Sequence, residues 1–301
     1  MSTRRSRRSG SARPRSARGG LAHPPRKQRS STQVRKAFDP AVLARLCTLE
    51  DFSEYAPRFD LAPTRDSQNR FLHFGNNGSD ILAVAHLDSV QSDGTCTIEQ
   101  TDAGPLVRSG TLDDRLGAYV ILELLPQLGV TVDWLLTTDE ELGATTAEDF
   151  DIDKTYNWMF QFDRGGTDVV MYDYETAELA DLIRASGAKV GIGSFSDICA
   201  LEHLGCAGFN WGVGYRDYHS HRSHAWLEDT FTMVTRFLRF YTTNHGLALP
   251  HTPGLRYWDD YGWSMPCTDC GAPSYEGICS ECDAEYLHWL DSPQGRLWDS
   301  Q

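Results

Sequence analysis

The sequence predicts an α/β fold: a twisted, mostly parallel central sheet layered between helices, followed by a small cysteine-rich C-terminal module. Three observations carry this expectation. The run Ile81-Leu82-Ala83-Val84-Ala85 is continuously apolar, as in a strand buried on both faces. Strand-like and helix-like stretches then alternate along the chain. Finally, five short segments rich in acids or histidines, residues 85–88, 112–115, 138–141, 161–164 and 218–221, recur beside these elements. Four follow a predicted strand closely and one follows an intervening hairpin. In such sheets a site forms beyond the carboxyl ends of the strands.

In order, residues 37–65 lead into the body with a short helix over 40–50, and residues 81–85 form the first core strand. Glycines and short β-prone pieces between 90 and 110 suggest a hairpin. From 113 to 128, Leu116, Tyr119, Val120, Leu122 and Leu124 fit a helix packed on the sheet. Strands follow at 132–136, 158–162 and 168–172, helices at 176–185 and 197–204, and a further strand at 207–213. The last core helix starts near Leu227, with Glu228 and Asp229 in the turn where the helix dipole favours acids. Its stripe is Leu227, Phe231, Val234, Leu238 and Tyr241, and Pro250 and Pro253 end it. Three regions result: a disordered basic arm (1–36), a catalytic body (37–249), and a linker with the cysteine module (250–301).

With 301 residues and 40% hydrophobic content the chain can bury one full core. It holds no run of about eighteen apolar residues, so no membrane span is expected. Residues 1–36 carry twelve Arg/Lys and no acid, a composition of disorder or of a nucleic-acid-binding arm. They lack the apolar stretch of a secretory signal, which points to the cytoplasm. Subtracting those twelve from the 28 basic residues leaves 16 against 42 acids, a formal charge near −26. Such a body repels nucleic acid and favours cations, including metals and amine-bearing substrates.

Cys267, Cys270, Cys279 and Cys282 form CxxC-x8-CxxC, the spacing of a tetrahedral structural zinc ribbon. Between Cys267 and Glu285 lie five acids and no Lys or Arg. Phosphate contacts need cations, so the ribbon reads as a cap or a protein-docking module. Cys47, Cys96, Cys199 and Cys206 are scattered and read as buried thiols.

The five segments read together as a site for two zinc ions, or cobalt or manganese, since histidine and carboxylate donors suit these metals. His86 is the first candidate ligand, and Asp88 can accept the proton of its other ring nitrogen. Asp113 is the candidate bridging carboxylate, with Asp114 the competing choice or a helix cap. Glu140 and Glu141, neighbours leaving a strand, point in different directions. Glu140 is assigned as general base and Glu141 as ligand. Asp163 ends a strand before Gly165-Gly166. His219, His221 and His224 compete for the last ligand position, and His219 stands closest to the strand ending at Val213.

These pieces resemble the co-catalytic dizinc exopeptidases, the clan of bacterial aminopeptidases, carboxypeptidase G, tripeptide aminopeptidase and aminoacylase. The likeness covers about residues 70–245. It rests on His86-Leu87-Asp88, Asp113-Asp114-Arg115-Leu116-Gly117, Glu140-Glu141-Leu142-Gly143, Asp163, Ser196-Asp197, Gly212-Val213-Gly214-Tyr215 and Tyr218-His219-Ser220. The resemblance implies that Asp113 bridges two ions, His86 and Asp163 complete one sphere, and Glu141 and His219 the other. It also implies that Glu140 passes a proton from water to the leaving amine while Asp88 orients His86. Only 55 residues separate Asp163 from His219, and 26 separate His86 from Asp113, so no lid insertion is expected. The activity implied is peptide or amide hydrolysis, first as an aminopeptidase. Alternatives are a carboxypeptidase, a dipeptidase, an N-acyl amino acid deacylase, or a non-catalytic protein working through ribbon and arm.

Overall fold

The computed structural model describes residues 30–49, 71–75 and 77–253, together with the backbone of residues 64–65, 265–266 and 273–274. Helices α1 (Ser31–Ala37) and α2 (Pro40–Cys47) come first. Strands β1 (Thr64–Arg65), β2 (Leu72–Phe74) and β3 (Ile81–His86) follow, then the hairpin of β4 (Thr97–Thr101) and β5 (Gly104–Arg108). Helix α3 (Leu112–Tyr119) runs through a π-helical turn at Val120–Leu124 into a last turn at Leu125–Gln127. Next come β6 (Asp133–Thr137), β7 (Trp158–Gln161), β8 (Asp168–Val170), α4 (Ala177–Ala185), β9 (Lys189–Val190) and β10 (Ala207–Trp211). A short hairpin, β11 (Tyr215–Arg216) and β12 (His224–Trp226), leads into α5 (Leu227–Asn244). Last, β13 (Met265–Pro266) pairs antiparallel with β14 (Pro273–Ser274).

The eight-stranded sheet has the order β1-β2-β6-β3-β7-β10-β8-β9. Its centre, β6, β3, β7 and β10, is parallel throughout. Every residue of these four strands is buried, as a sheet covered on both faces requires. The sheet as a whole is mixed, because β2 runs antiparallel to β6 and β8 antiparallel to β10. The cause is connection length. Only six residues join β2 to β3, and six join β7 to β8. A crossover to a parallel strand needs a dozen or more, so these strands reverse. Helix α4 supplies such a crossover between β8 and β9, which are parallel.

Local signals explain the helix ends. Asp39 caps α2 by accepting from the backbone N–H of Ala41 and Val42, with Pro40 at the first helical position. Thr176 caps α4 through Leu179 N–H. Helix α5 buries Leu227, Phe231, Val234, Phe237, Leu238 and Phe240. The Phe237 ring lies 4.4 Å from Phe160, 5.1 Å from Phe162 and 5.4 Å from Trp211, centroid to centroid. Each such side chain contributes roughly 1.5–3 kcal/mol when fully buried, so α5 is pinned under the central strands. Tyr241, expected on the stripe, lies at its edge, half-buried.

Residues 31–36, assigned above to the arm, are helical and belong to the body. Val34 of α1 is fully buried, α1 packs on α5, and Arg35 pairs with Glu228. Within residues 31–36 only Val34 is a large apolar residue, so the segment left little trace in composition. The rest of the arm, residues 1–29, lies outside the described residues, as do Cys267, Cys270, Cys279 and Cys282. Of the scattered cysteines, Cys47 and Cys206 are buried, whereas Cys96 and Cys199 are half-buried. No helix among the described residues is long and apolar enough to cross a membrane.

Candidate metal centre

Parallel strands deliver most of the cluster. His86 is the last residue of β3, Glu140 and Glu141 open a 3-10 turn after β6, and Asp163 lies two residues beyond β7. Asp113 arrives from the second sheet, ordered β11-β12-β5-β4. There β12 pairs with β5, and Ser109 N–H donates to Ser223 O at 3.2 Å. This docking lays the 217–223 loop, which carries His219, beside the start of α3. Asp113 and Asp114 keep non-helical backbone angles there, joined by a cis peptide.

The two oxygens of Asp113 face two different donor sets. Oδ1 lies 3.5 Å from His86 Nε2, which is also 3.5 Å from Asp163 Oδ1. Oδ2 lies 3.3 Å from His219 Nε2, which is 2.9 Å from Glu141 Oε2. Glu140 Oε2 stands 3.7 Å from His86 Nε2. Atoms bound about 2.1 Å from a tetrahedral zinc lie roughly 3.4 Å from one another. The 3.5 Å spacings around His86 therefore fit donors around a cation better than donors bonded to each other, and the buried His86 Nε2 makes no hydrogen bond. His86, Asp113 and Glu141, and also His86, Asp114 and Asp163, each offer ligand atoms within 4.8 Å of one another.

Burial and charge set the protonation. Burial pulls the His86 imidazole down, but Asp163, Asp113 and Asp88 outweigh it and raise it well above its usual value. Hydrogen bonds to Asp113 and Glu141 raise His219 to about 10. Burial raises Asp113, yet His219 and His86 win and hold it below the usual carboxylate range. Burial, with Asp197, Asp113 and Glu141 nearby, pushes Glu140 up to about 8 despite His86. Burial also drives Asp163 well above its usual value, with the Asp113 and Asp114 charges adding to it.

A supporting layer surrounds these groups. His86 Nδ1 is 3.3 Å from Asp88 Oδ1 and 3.2 Å from the Asp88 carbonyl. The other Asp88 oxygen accepts from Glu141 N–H at 3.0 Å, so one carboxylate serves both residues. Asp114, weighed above as a helix cap, instead accepts from Tyr215 Oη at 2.9 Å. Gln91 Nε2 donates to the His219 carbonyl at 3.1 Å. Asn210 brackets the Asp163 backbone, accepting from its N–H at 3.0 Å and donating to its carbonyl at 2.8 Å.

Of the competing histidines, only His219 reaches Asp113. His224 sits in β12, with Nδ1 against the Arg222 carbonyl at 2.9 Å, and His221 lies exposed in the same loop. Sequence reasoning missed Gln161, Asn210, Tyr215 and Thr145. Gln161 had a usable signal, since it stands two residues before Asp163 and strand side chains repeat every two. The others are brought in from distant elements.

No family model matches the chain, and no curated protein matches it by sequence. Among solved structures, a tripeptidase from Staphylococcus aureus superposes with a TM-score of 0.52 at 10% identity, over 72% of this chain and 99% of that one. Aminopeptidase PepT from Bacillus cereus gives 0.49 at 11% identity, over 70% and 98%. Aminopeptidase APDkam598 from the archaeon Desulfurococcus kamchatkensis gives 0.48 at 12%, over 72% and 96%. At such identities the likeness concerns fold. The chain has a peptidase-like mixed α/β architecture, shared with the staphylococcal tripeptidase, and a His/Asp/Glu cluster able to hold metal.

Proposed function

We propose that this chain is a metal-dependent hydrolase of peptide or amide bonds, working as an aminopeptidase with two zinc, cobalt or manganese ions. The observation that carries the reading is Asp113, whose Oδ1 faces His86 and Asp163 while Oδ2 faces His219 and Glu141. His86 and Asp163 would hold one ion, Glu141 and His219 the other, and Asp113 both. Two such ions, when bound, lower the pKa of water and draw charge from a carbonyl oxygen.

The remaining work belongs to side chains of this protein. Asp88 holds the His86 ring and the Glu141 backbone at once, so two ligands keep a common orientation. Glu140 Oε2 stands 3.7 Å from His86 Nε2 without being needed in either ligand set, which suits a group that must both take and return a proton. It takes one from the attacking water and passes it to the leaving amine. The acidic body favours a substrate with a free amine. A ribbon zinc on Cys267, Cys270, Cys279 and Cys282, and a protein partner for that ribbon, remain proposals outside the described residues.

The test is hydrolysis of a panel of free-amine and N-blocked peptides by metal-loaded protein. Cleavage should require the metal, prefer free amines and release the N-terminal residue. Glu140→Gln should lower kcat by about 10²–10⁴-fold with metal still bound. Preference for blocked peptides would overturn the aminopeptidase reading. No amide hydrolysis with any of the three metals would overturn the enzyme reading.

A further inference from the structure

Asp197 opens the 3-10 helix Asp197–Leu204 and is fully buried. Its Oδ1 accepts from Thr145 Oγ1, and its Oδ2 accepts from Gln161 Nε2 at 2.9 Å. The same Gln161 Nε2 donates to Asp163 Oδ2 at 3.1 Å, so one amide group joins two carboxylates. Charge settles the amide's orientation: reversed, it would aim its oxygen at both carboxylates.

This network has two consequences at the metal centre. With Oδ2 of Asp163 occupied by Gln161, Oδ1 is the oxygen left facing His86 Nε2. On the other side, Thr145 follows the Glu140–Glu141 turn, and its neighbour Thr146 closes that loop through two bonds of 3.0 Å to Thr138. Asp197 therefore ties the loop bearing the proposed base to the last residue of β7, two positions before Asp163. Strand β7 is otherwise Trp158, Met159 and Phe160, and only its last residue is polar. A buried amide and a buried carboxylate are costly where apolar side chains would pack, so packing alone does not explain them.

We propose that Asp197 and Gln161 are positioning residues, which select the oxygen Asp163 presents to metal and keep the Glu140–Glu141 loop in register with it. This rests on Asp163 being a ligand. The test is a titration of the chelator-stripped full chain with Mn2+, a cation that prefers carboxylate oxygens to cysteine thiolates. Gln161→Leu and Asp197→Asn should each weaken Mn2+ binding about 10–100-fold, while the stripped proteins melt close to the parent. Thr145→Val keeps the Gln161–Asp163 bond but frees the loop that carries Glu140 and Glu141, so it should weaken Mn2+ binding less than Gln161→Leu does and lower kcat. A merely structural role would lower the melting temperature of the stripped protein and spare affinity, which overturns the proposal. If Asp197→Asn does not fold, Gln161→Leu decides alone: parental affinity refutes the assignment. A parent chain that binds no Mn2+, Zn2+ or Co2+ outside its thiolates defeats the metal-centre reading instead.

Discussion

Asp113 matters because a carboxylate has two oxygens and a plane between them. One side meets His86 and Asp163, the other His219 and Glu141. Around it, histidines carry protons that a metal must displace. His219 is held at about 10 and His86 lies well above its usual value, so both are charged near neutral pH in the metal-free protein. Metal binding should therefore release at least two protons at pH 7, and the apparent affinity should rise as pH rises. Calorimetry in buffers of differing ionisation heat counts those protons. A count of zero would show that these histidines are not ligands. At this scale the residue types that converge on the cluster were legible in sequence, because His, Asp and Glu recur at the predicted strand ends. Asn210 was not, since a neutral amide gains its role only from the carboxylate or backbone group it meets.

At the scale of elements, helix α3 has to approach β7 closely enough for Asp113 and Asp163 to share a site. Gly117 makes that approach. A Cβ there would lie 2.0 Å from Asp114 Oδ1 and 2.4 Å from the Phe162 carbonyl, far inside van der Waals contact. In an exposed helix, Gly→Ala stabilises by about 1 kcal/mol. Here Gly117→Ala should instead destabilise by about 1–3 kcal/mol through overpacking and weaken metal binding. Thermal melts with and without metal read both effects, and a raised melting temperature would refute this account. Core strands, α3, α4 and α5 were legible because hydrophobic period and caps are local. The hairpin of β11 and β12 was not. Its strands are two and three residues long, and β12 exists because β5 lies alongside it.

For the whole molecule, several carboxylates converge on one end of a buried sheet, and a bound cation relieves that crowding in the folded state only. Metal at a hundred times its Kd should stabilise by about 2.7 kcal/mol. For a body of this size that raises the melting temperature by roughly 5–10 °C. Scanning calorimetry with and without chelator measures the shift, and its absence would argue against a folded-state site. Elemental analysis should return three zinc-type ions per chain, two at the centre and one at the cysteines. One ion alone, held by thiolates, would remove the catalytic assignment.

The sequence by itself determined the covered parallel core, the polarity of strand ends and the chemical types of the clustered side chains, because these follow from local period and composition. Tertiary structure decided which histidine reaches Asp113, that the sheet's flanking strands reverse, that residues 31–36 join the body, and that Gln161 and Asp197 stand behind Asp163. The reason is that each depends on groups distant in sequence meeting within a few ångströms, and spacing along a chain does not encode such meetings.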